Sequence, residues 1–256
     1  MCQKLQTHSI DLVIRLSYII AMSRKPSSLA VAEPRADRGD ATRQKLLAAS
    51  IEVFGRLGFD GASTRAVADA AGVNLQAIPY YFGSKDGLYV ATAEHIATQI
   101  KSHVAELYVR AQARLAEAEA RGAALEPKVA RDLLTEIIQL KATLFVSDDS
   151  QGWARFLQRE QLEPTEAFAR VYRGVMKPSF ELIAKLVGIL LDEDPASEHV
   201  RLRAMALLGS VMVFRSANAA ATTHLGWTTI GQREVDAVRA LAAELVASIG
   251  RHGKPG

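Results

Sequence analysis

The residues best suited to chemistry with a partner lie in one short stretch, Asn74-Leu-Gln-Ala-Ile-Pro-Tyr-Tyr-Phe-Gly-Ser-Lys85. Helical spacing turns Ile78 and Phe82 to one side. It leaves Leu75, Gln76, Pro79 and Tyr80 on the other, with Ala77 and Tyr81 at the edges. This outer face is polar and aromatic but uncharged, which is the chemistry of base edges. A glutamine amide pairs in bidentate fashion with adenine, and the apolar atoms of Ala77 and Pro79 suit a thymine methyl. Lys85 stands in the first turn of the following helix, where a cation opposes the helix dipole and Asp86 complements it. A phosphate at that N-terminus reverses the balance, because backbone amides and the lysine then grip it together. Pro79 removes at most one intrahelical bond near the helix start but pushes Ile78 away from regular α geometry. A distorted first turn and a helix simply held by tertiary packing both accommodate it.

Those side chains need a scaffold, and the flanking sequence supplies one. From Thr42, a good N-cap, the segment TRQKLLAASIEVFGRLGF sets Leu47, Ser50, Ile51 and Phe54 on one face with Leu46, Val53 and Leu57 beside it. Gly58 falls where a left-handed cap is wanted. A short helix, TRAVADAAG, follows, with Thr64 as its cap and Gly72 to supply the positive φ of a sharp turn. Asn74 caps the next helix, and Ser84 caps a fourth that runs from Lys85 well past Ala105. Two short helices joined in this way make a helix-turn-helix, whose second helix enters a major groove.

The rest of the chain shows helical periodicity and no strand pattern, repeat or phosphate loop, so the expected class is all-α. Pro127 starts a helix, and Pro178 is placed to kink or divide the long run TEAFARVYRGVMKPSFELIAKLVGILL. The segment AMALLGSVMVFRSANAAA is apolar on most sides, with Ala206, Gly209, Ser210 and Ala217 small enough for close helix contact. With VDAVRALAAELVASI it forms the expected homodimer surface, two helices from each chain. A sensor cavity in this half is expected to be lined by Phe145, Trp153, Phe156, Phe168, Tyr172 and Met212. Arg155, Arg159 and Glu160 are its polar anchors. His95, Gln99 and His103 share a helical face that suits a ligand edge; without a Cys or carboxylate cluster, no metal and no cofactor are expected.

The single cysteine, Cys2, excludes an internal disulfide and suits a reducing cytoplasm. A net charge of +3 permits nucleic-acid binding without demanding it. The apolar segment from Ile10 to Met22 is too short to span a bilayer and carries Asp11 and Arg15, so no membrane association is expected. Residues 1–39 read as a disordered tail, or as an upstream start in place of Met22. An enzyme is the competing class, but no nucleophile elbow, P-loop or dinucleotide fingerprint supports one. The near-balanced charge of the helix-turn-helix block weakens a third reading, a nonspecific DNA-coating protein.

The block ATRQKLLAASIEVFGRLGFDGASTRAVADAAGVNLQAIPYYFGSKDGLY resembles the DNA-binding domain of TetR-type transcriptional regulators. It carries a phenylalanine-glycine in the first helix, the ST-x-x-x-VA-x-x-AGV turn and the closing YYFGSKDGLY. The resemblance implies an all-helical homodimer with a DNA-binding domain over 40–92 and a ligand-sensing and dimerisation domain over 93–251. It implies a palindromic double-stranded operator and a small-molecule effector as partners. By matching positions, Gln76, Ala77, Pro79 and Tyr80 carry base-side contacts, and Ser63, Thr64, Tyr81 and Lys85 carry phosphate contacts. Asn74 and Leu75 complete the expected DNA-binding set. Repressor, with release by ligand, is the implied role, and activator is the alternative. WARFLQREQLEPTEAFARVYRGVMKPSFELIAKLVGILL is similar to the CerR-type C-terminal subgroup, on its Trp, its Arg-Glu pair, its Pro-Thr-x-Ala-Phe run and the later proline.

Overall fold

The structure, a computed structural model, describes residues 35–146 and 150–250. The chain divides into units Met1–Gly39 and Asp40–Gly256, and the account below concerns the second. The tail up to residue 34, including the apolar segment Ile10–Met22, lies outside the described residues. Residues 35–39, expected to be part of that tail, are helical.

Every regular element among the described residues is a helix. In chain order they are α1 (Arg35–Gly61), α2 (Thr64–Ala71), α3 (Ala77–Phe82), α4 (Lys85–Ala120), α5 (Pro127–Val146), α6 (Gln151–Leu162) and α7 (Glu166–Val171). A π-helical turn (Tyr172–Met176) leads into α8 (Lys177–Leu191), followed by α9 (Glu198–Ser216), α10 (Asn218–Leu225) and α11 (Gln232–Ser248). Thr42 lies inside α1 and does not cap it, because the helix begins at Arg35. Gly58 interrupts the α1 run with φ 75° and ψ 179°.

The apolar stripes form two cores. One joins α1–α3 to the first turns of α4 and to α6 and α7, through Leu46, Phe54, Val67, Ile78, Leu88, Ile96 and Phe156. The other fills the C-terminal body, where α5 packs against α8, α9 and α11 through Leu134, Ile138, Ile183, Leu186, Val211 and Val246. Helix α4 contributes to both, with Ile100 in the first and Leu107 and Ala111 in the second.

The long run containing Pro178 is divided by the π-helical turn. The Lys177 amide bonds back to the Tyr172 carbonyl, five residues earlier, which shifts the register ahead of the residue that cannot donate. The segment Glu198–Leu225 is two helices bent by 84°, where the sequence pattern suggested one run. No single helix among the described residues is long and apolar enough to cross a membrane.

Candidate nucleic-acid interface

Helix α2 begins at Thr64, and the cap is Ser63, whose Oγ accepts the Ala66 amide at 3.0 Å; the expected cap, Thr64, is the first helical residue. Gly72 closes α2 in the left-handed region, φ 64° and ψ 37°, so the chain turns sharply into Val73. Asn74 starts the next element as an Asx turn, its Oδ1 accepting the Gln76 amide at 2.8 Å. The amides of Ala77 and Ile78 then bond to the carbonyls of Asn74 and Leu75, three residues back, so the entry is a tight 3₁₀-type turn. Pro79 becomes the third residue of α3, where an amide has no intrahelical partner to lose. The proline is therefore accommodated without a broken ladder.

Within α3, Ile78 is 1% exposed and Tyr80 is 80% exposed. Gln76 and Pro79 are exposed beside Tyr80, whereas Leu75, Ala77 and Tyr81 are half-buried and pack against the core. The reading face is thus narrower than the helical wheel implied. Tyr81 stands edge-on to Tyr80 at 4.8 Å between ring centroids, which fixes both rings. Helix α4 starts with Ser84, whose Oγ accepts the Gly87 amide at 3.0 Å, as its sequence position suggested. The Lys85 ammonium lies over the Phe59 ring, 4.4 Å from its centroid, and Arg43 stacks over Phe82 at 5.6 Å. Arg65, exposed in the first turn of α2, adds a cation beside Ser63 and Thr64.

Helix α6 holds this head from behind. Arg159 donates to the carbonyls of Gly55 (3.1 Å) and Arg56 (3.0 Å), which lie next to the break at Gly58. Its neighbour Glu160, 2% exposed, accepts from the Tyr89 hydroxyl of α4 at 2.6 Å. It also accepts the amides of Thr165 and Phe168 and the Thr165 hydroxyl. Burial, reinforced by the bond to Glu160, pushes the Tyr89 phenol well above its ordinary value, so it stays a donor. Phe156 packs on Tyr89 at 4.7 Å, and Tyr89 meets Phe54 and Phe59 edge-on. A Cβ added at Gly55 would lie 3.1 Å from the Gly152 carbonyl oxygen, so the backbones of α1 and α6 approach closely at this glycine.

This arrangement redistributes the expected sensor lining. Phe156 is fully buried and Trp153 nearly so in the core beneath the head, and Glu160 spends its acceptors on internal donors. These three are buried where α6 meets α1 and α4. Phe145 packs in the other core, Phe168 stacks on Tyr172 at 5.8 Å, and Met212 and His103 are exposed. His103 Nδ1 lies 2.7 Å from the Gln99 carbonyl, so that ring is engaged by its own helix. Burial, with the charge of Arg43, holds the His95 imidazole below its ordinary range. Sequence reasoning missed Tyr89 and the Arg43 contact, and it gave Arg159 and Glu160 a different task. Their partners lie 71 to 104 residues away, beyond any local pattern.

Comparison with known proteins agrees with the geometry. Residues 46–92 match the family described as bacterial regulatory proteins, tetR family. Residues 130–251 match the C-terminal domain of the HTH-type transcriptional dual regulator CecR. The dual regulator CecR of Shigella flexneri is 30% identical over 201 residues, covering 78% of this chain and 87% of that protein. The chain belongs to the TetR family. Its C-terminal half carries the subgroup domain anticipated for it, whose name is CecR and not CerR. As a TetR-family member with this helix-turn-helix, it is a DNA-binding transcriptional regulator. The transcriptional repressor NicS of Pseudomonas putida is 37% identical over 73 residues, 28% of this chain and 34% of NicS. FadR from Bacillus subtilis, solved with stearoyl-CoA, shares the fold at 18% identity and a TM-score of 0.54, covering 82% of this chain and 99% of FadR.

Proposed function

We propose that this TetR-family regulator is a cytoplasmic, homodimeric repressor that leaves a palindromic operator when a small-molecule effector binds its C-terminal body. The observation that carries the reading is the orientation of α3. Gln76, Pro79 and Tyr80 are presented outward on a helix anchored by a buried Ile78. In the groove, Gln76 reads a base edge, Pro79 and Tyr80 supply apolar contact, and Leu75 and Ala77 set their height. Ser63, Thr64, Tyr81 and Lys85 hold the phosphates on either side, and Asn74 shapes the turn between them.

Dimerisation is supported by a row of exposed apolar residues on α9, namely Leu202, Met205, Met212 and Val213, with Leu241 on α11. Such a row suits the isologous four-helix contact of a twofold dimer. The dimer sets the separation of the two heads. Effector binding works through α4 and through the grip of Arg159 and Glu160, by favouring a head separation that fits the operator less well. No reaction is assigned to the chain. The name of the Shigella flexneri relative, a dual regulator, favours a second role as activator at some promoters.

Selection of duplexes from random-sequence DNA by the full-length protein, followed by footprinting, tests the proposal. The expected outcome is an enriched inverted repeat protected by a dimer. Enrichment of no sequence, or of a single unrepeated half-site bound by a monomer, would overturn it.

A further inference from the structure

The charge at the start of α4 stands on an aromatic support. Lys85 is half-buried in the first turn of that helix, where its charge opposes the helix dipole. What holds its ammonium is the ring of Phe59, whose centroid lies 4.4 Å from Nζ. Phe59 directly follows the break at Gly58, where the end of α1 leaves its helical course. The ring is fixed in turn by two core residues. It stacks on Phe54 at 6.4 Å between centroids and meets Tyr89 edge-on at 5.1 Å. Tyr89 is itself tied to Glu160 by its hydroxyl, so one line of contacts runs from α6 through Tyr89 and Phe59 to Lys85.

The charge of the head makes this placement matter. Residues 40–92 carry five Lys or Arg and five Asp or Glu, so the head has no net charge with which to draw in DNA. Sequence-independent affinity comes from counterions released as cations neutralise phosphates. In a neutral head it depends on where each cation stands. A lysine side chain gives up much rotamer freedom when a contact fixes it. A ring under the ammonium meets that cost before DNA arrives. A carboxylate would hold the lysine as firmly, but it would cancel the charge that a phosphate is to meet. An aromatic ring holds the charge without cancelling it, and leaves ammonium donors for the phosphate oxygens.

We infer that Phe59 is a positioning residue for DNA binding: its ring holds the Lys85 ammonium at the N-terminus of α4, ready for a phosphate. This inference rests on reading Lys85 as a phosphate contact. Any large apolar side chain would fill the space beside Phe54 and Tyr89. Only an aromatic one also offers a face to a cation.

The test uses the full-length protein with Phe59→Leu, Phe59→Tyr, Lys85→Ala and the double variant Phe59→Leu/Lys85→Ala. Affinity for the selected operator and for random DNA is measured at several salt concentrations. Lys85→Ala should weaken binding to both by about 8-fold per chain near ~0.1 M salt, the worth of one neutralised phosphate. Phe59→Leu should weaken both alike by about 2–5-fold, the worth of an exposed cation–π contact. Phe59→Tyr keeps the ring and should restore that loss. In the Lys85→Ala background, Phe59→Leu should cost nothing further on either DNA. In the free protein the Lys85 ε-methylene protons should resonate upfield, shielded by the ring, and lose that shift in Phe59→Leu. Melting temperature does not decide the matter, because a leucine loosens the core whether or not the ring positions the lysine. A Phe59→Leu loss of equal size with and without Lys85 makes the ring structural and overturns the inference. So does unchanged or tighter binding by Phe59→Leu, or an unshifted Lys85 resonance in the wild type. If Lys85→Ala alters neither affinity nor salt slope, the phosphate reading of Lys85 is what fails, and the inference falls with it.

Discussion

The head and the body use their aromatic and polar residues in opposite ways. In α3 the informative side chains point outward, and Tyr80 has no task in the monomer's core. In α6 the side chains of the same chemical types point inward, and Phe156 and Glu160 are consumed by the fold. A major groove about 12 Å wide accepts only what one short helix presents, so its contacts fall within one stretch of sequence. A regulator's internal joints are made between distant helices and leave no local trace.

The largest effect is expected where the two regions are joined. Glu160→Ala leaves the Tyr89 hydroxyl, the Thr165 and Phe168 amides and the Thr165 hydroxyl without their acceptor. The loss should be about 3 kcal/mol or more. Urea denaturation gives the value. A change under about 1 kcal/mol would show that water replaces the carboxylate and that the joint is soft.

Next in size is Phe156→Trp. Phe156 is fully buried and packs on Tyr89, so overpacking by a larger ring should cost about 1–3 kcal/mol of stability. If the variant is as stable as the wild type and changes only the effector response, Phe156 lines a sensor cavity after all and the contrast between head and body is broken.

The contrast also explains what was legible in the sequence. The helical class, the caps at Ser84 and Gly72 and the outward set on α3 follow from spacing and backbone preference over a few residues. The start of α1 at Arg35 was not legible, because the composition before Asp40 is that of a tail. Leu75 was misjudged as fully outward, because the wheel assumes a regular helix from Asn74, whereas the tight turn before Ala77 rotates it toward the core; Ala77, expected at the edge, is half-buried there. Trp153, Phe156 and Glu160 were assigned to a ligand because an aromatic cluster with an acid describes a pocket and a packed joint equally well. Only the partners, Tyr89 and the Gly55 and Arg56 carbonyls, tell the two apart.

On the DNA side, Gln76→Ala should cost about 1–3 kcal/mol on the selected operator and relax preference at one base position, with little change on random DNA. Lys85→Ala should weaken both alike and lower the salt slope by about one. Isotherms at several salt concentrations separate the two. Equal losses on both DNAs for Gln76→Ala would move it from the reading set to the phosphate set.

The smallest effect comes from the outer edge of the joint, and its smallness carries information. Arg155 and Arg159 are one turn apart on α6 and both reach α1. Arg155 meets Glu52 across 3.3 Å with both side chains more than half exposed, so water competes for each charge. Arg155→Ala should change stability by no more than about 0.5 kcal/mol and leave operator affinity as it was. Arg159 instead satisfies two carbonyls beside the break at Gly58, and Phe59, just past that break, carries the Lys85 ammonium on its ring. Arg159→Ala should therefore weaken operator binding while costing the fold only about 1 kcal/mol. Measuring both variants for melting temperature and for affinity to one half-site and to the full operator separates grip from charge. On the proposed dimer, in which this joint would set the spacing of the two heads, the Arg159→Ala defect should be larger on the full operator than on the half-site. Identical behaviour of the two variants would mean that the exposed ion pair and the carbonyl grip contribute alike, and that the head is held by its apolar core alone.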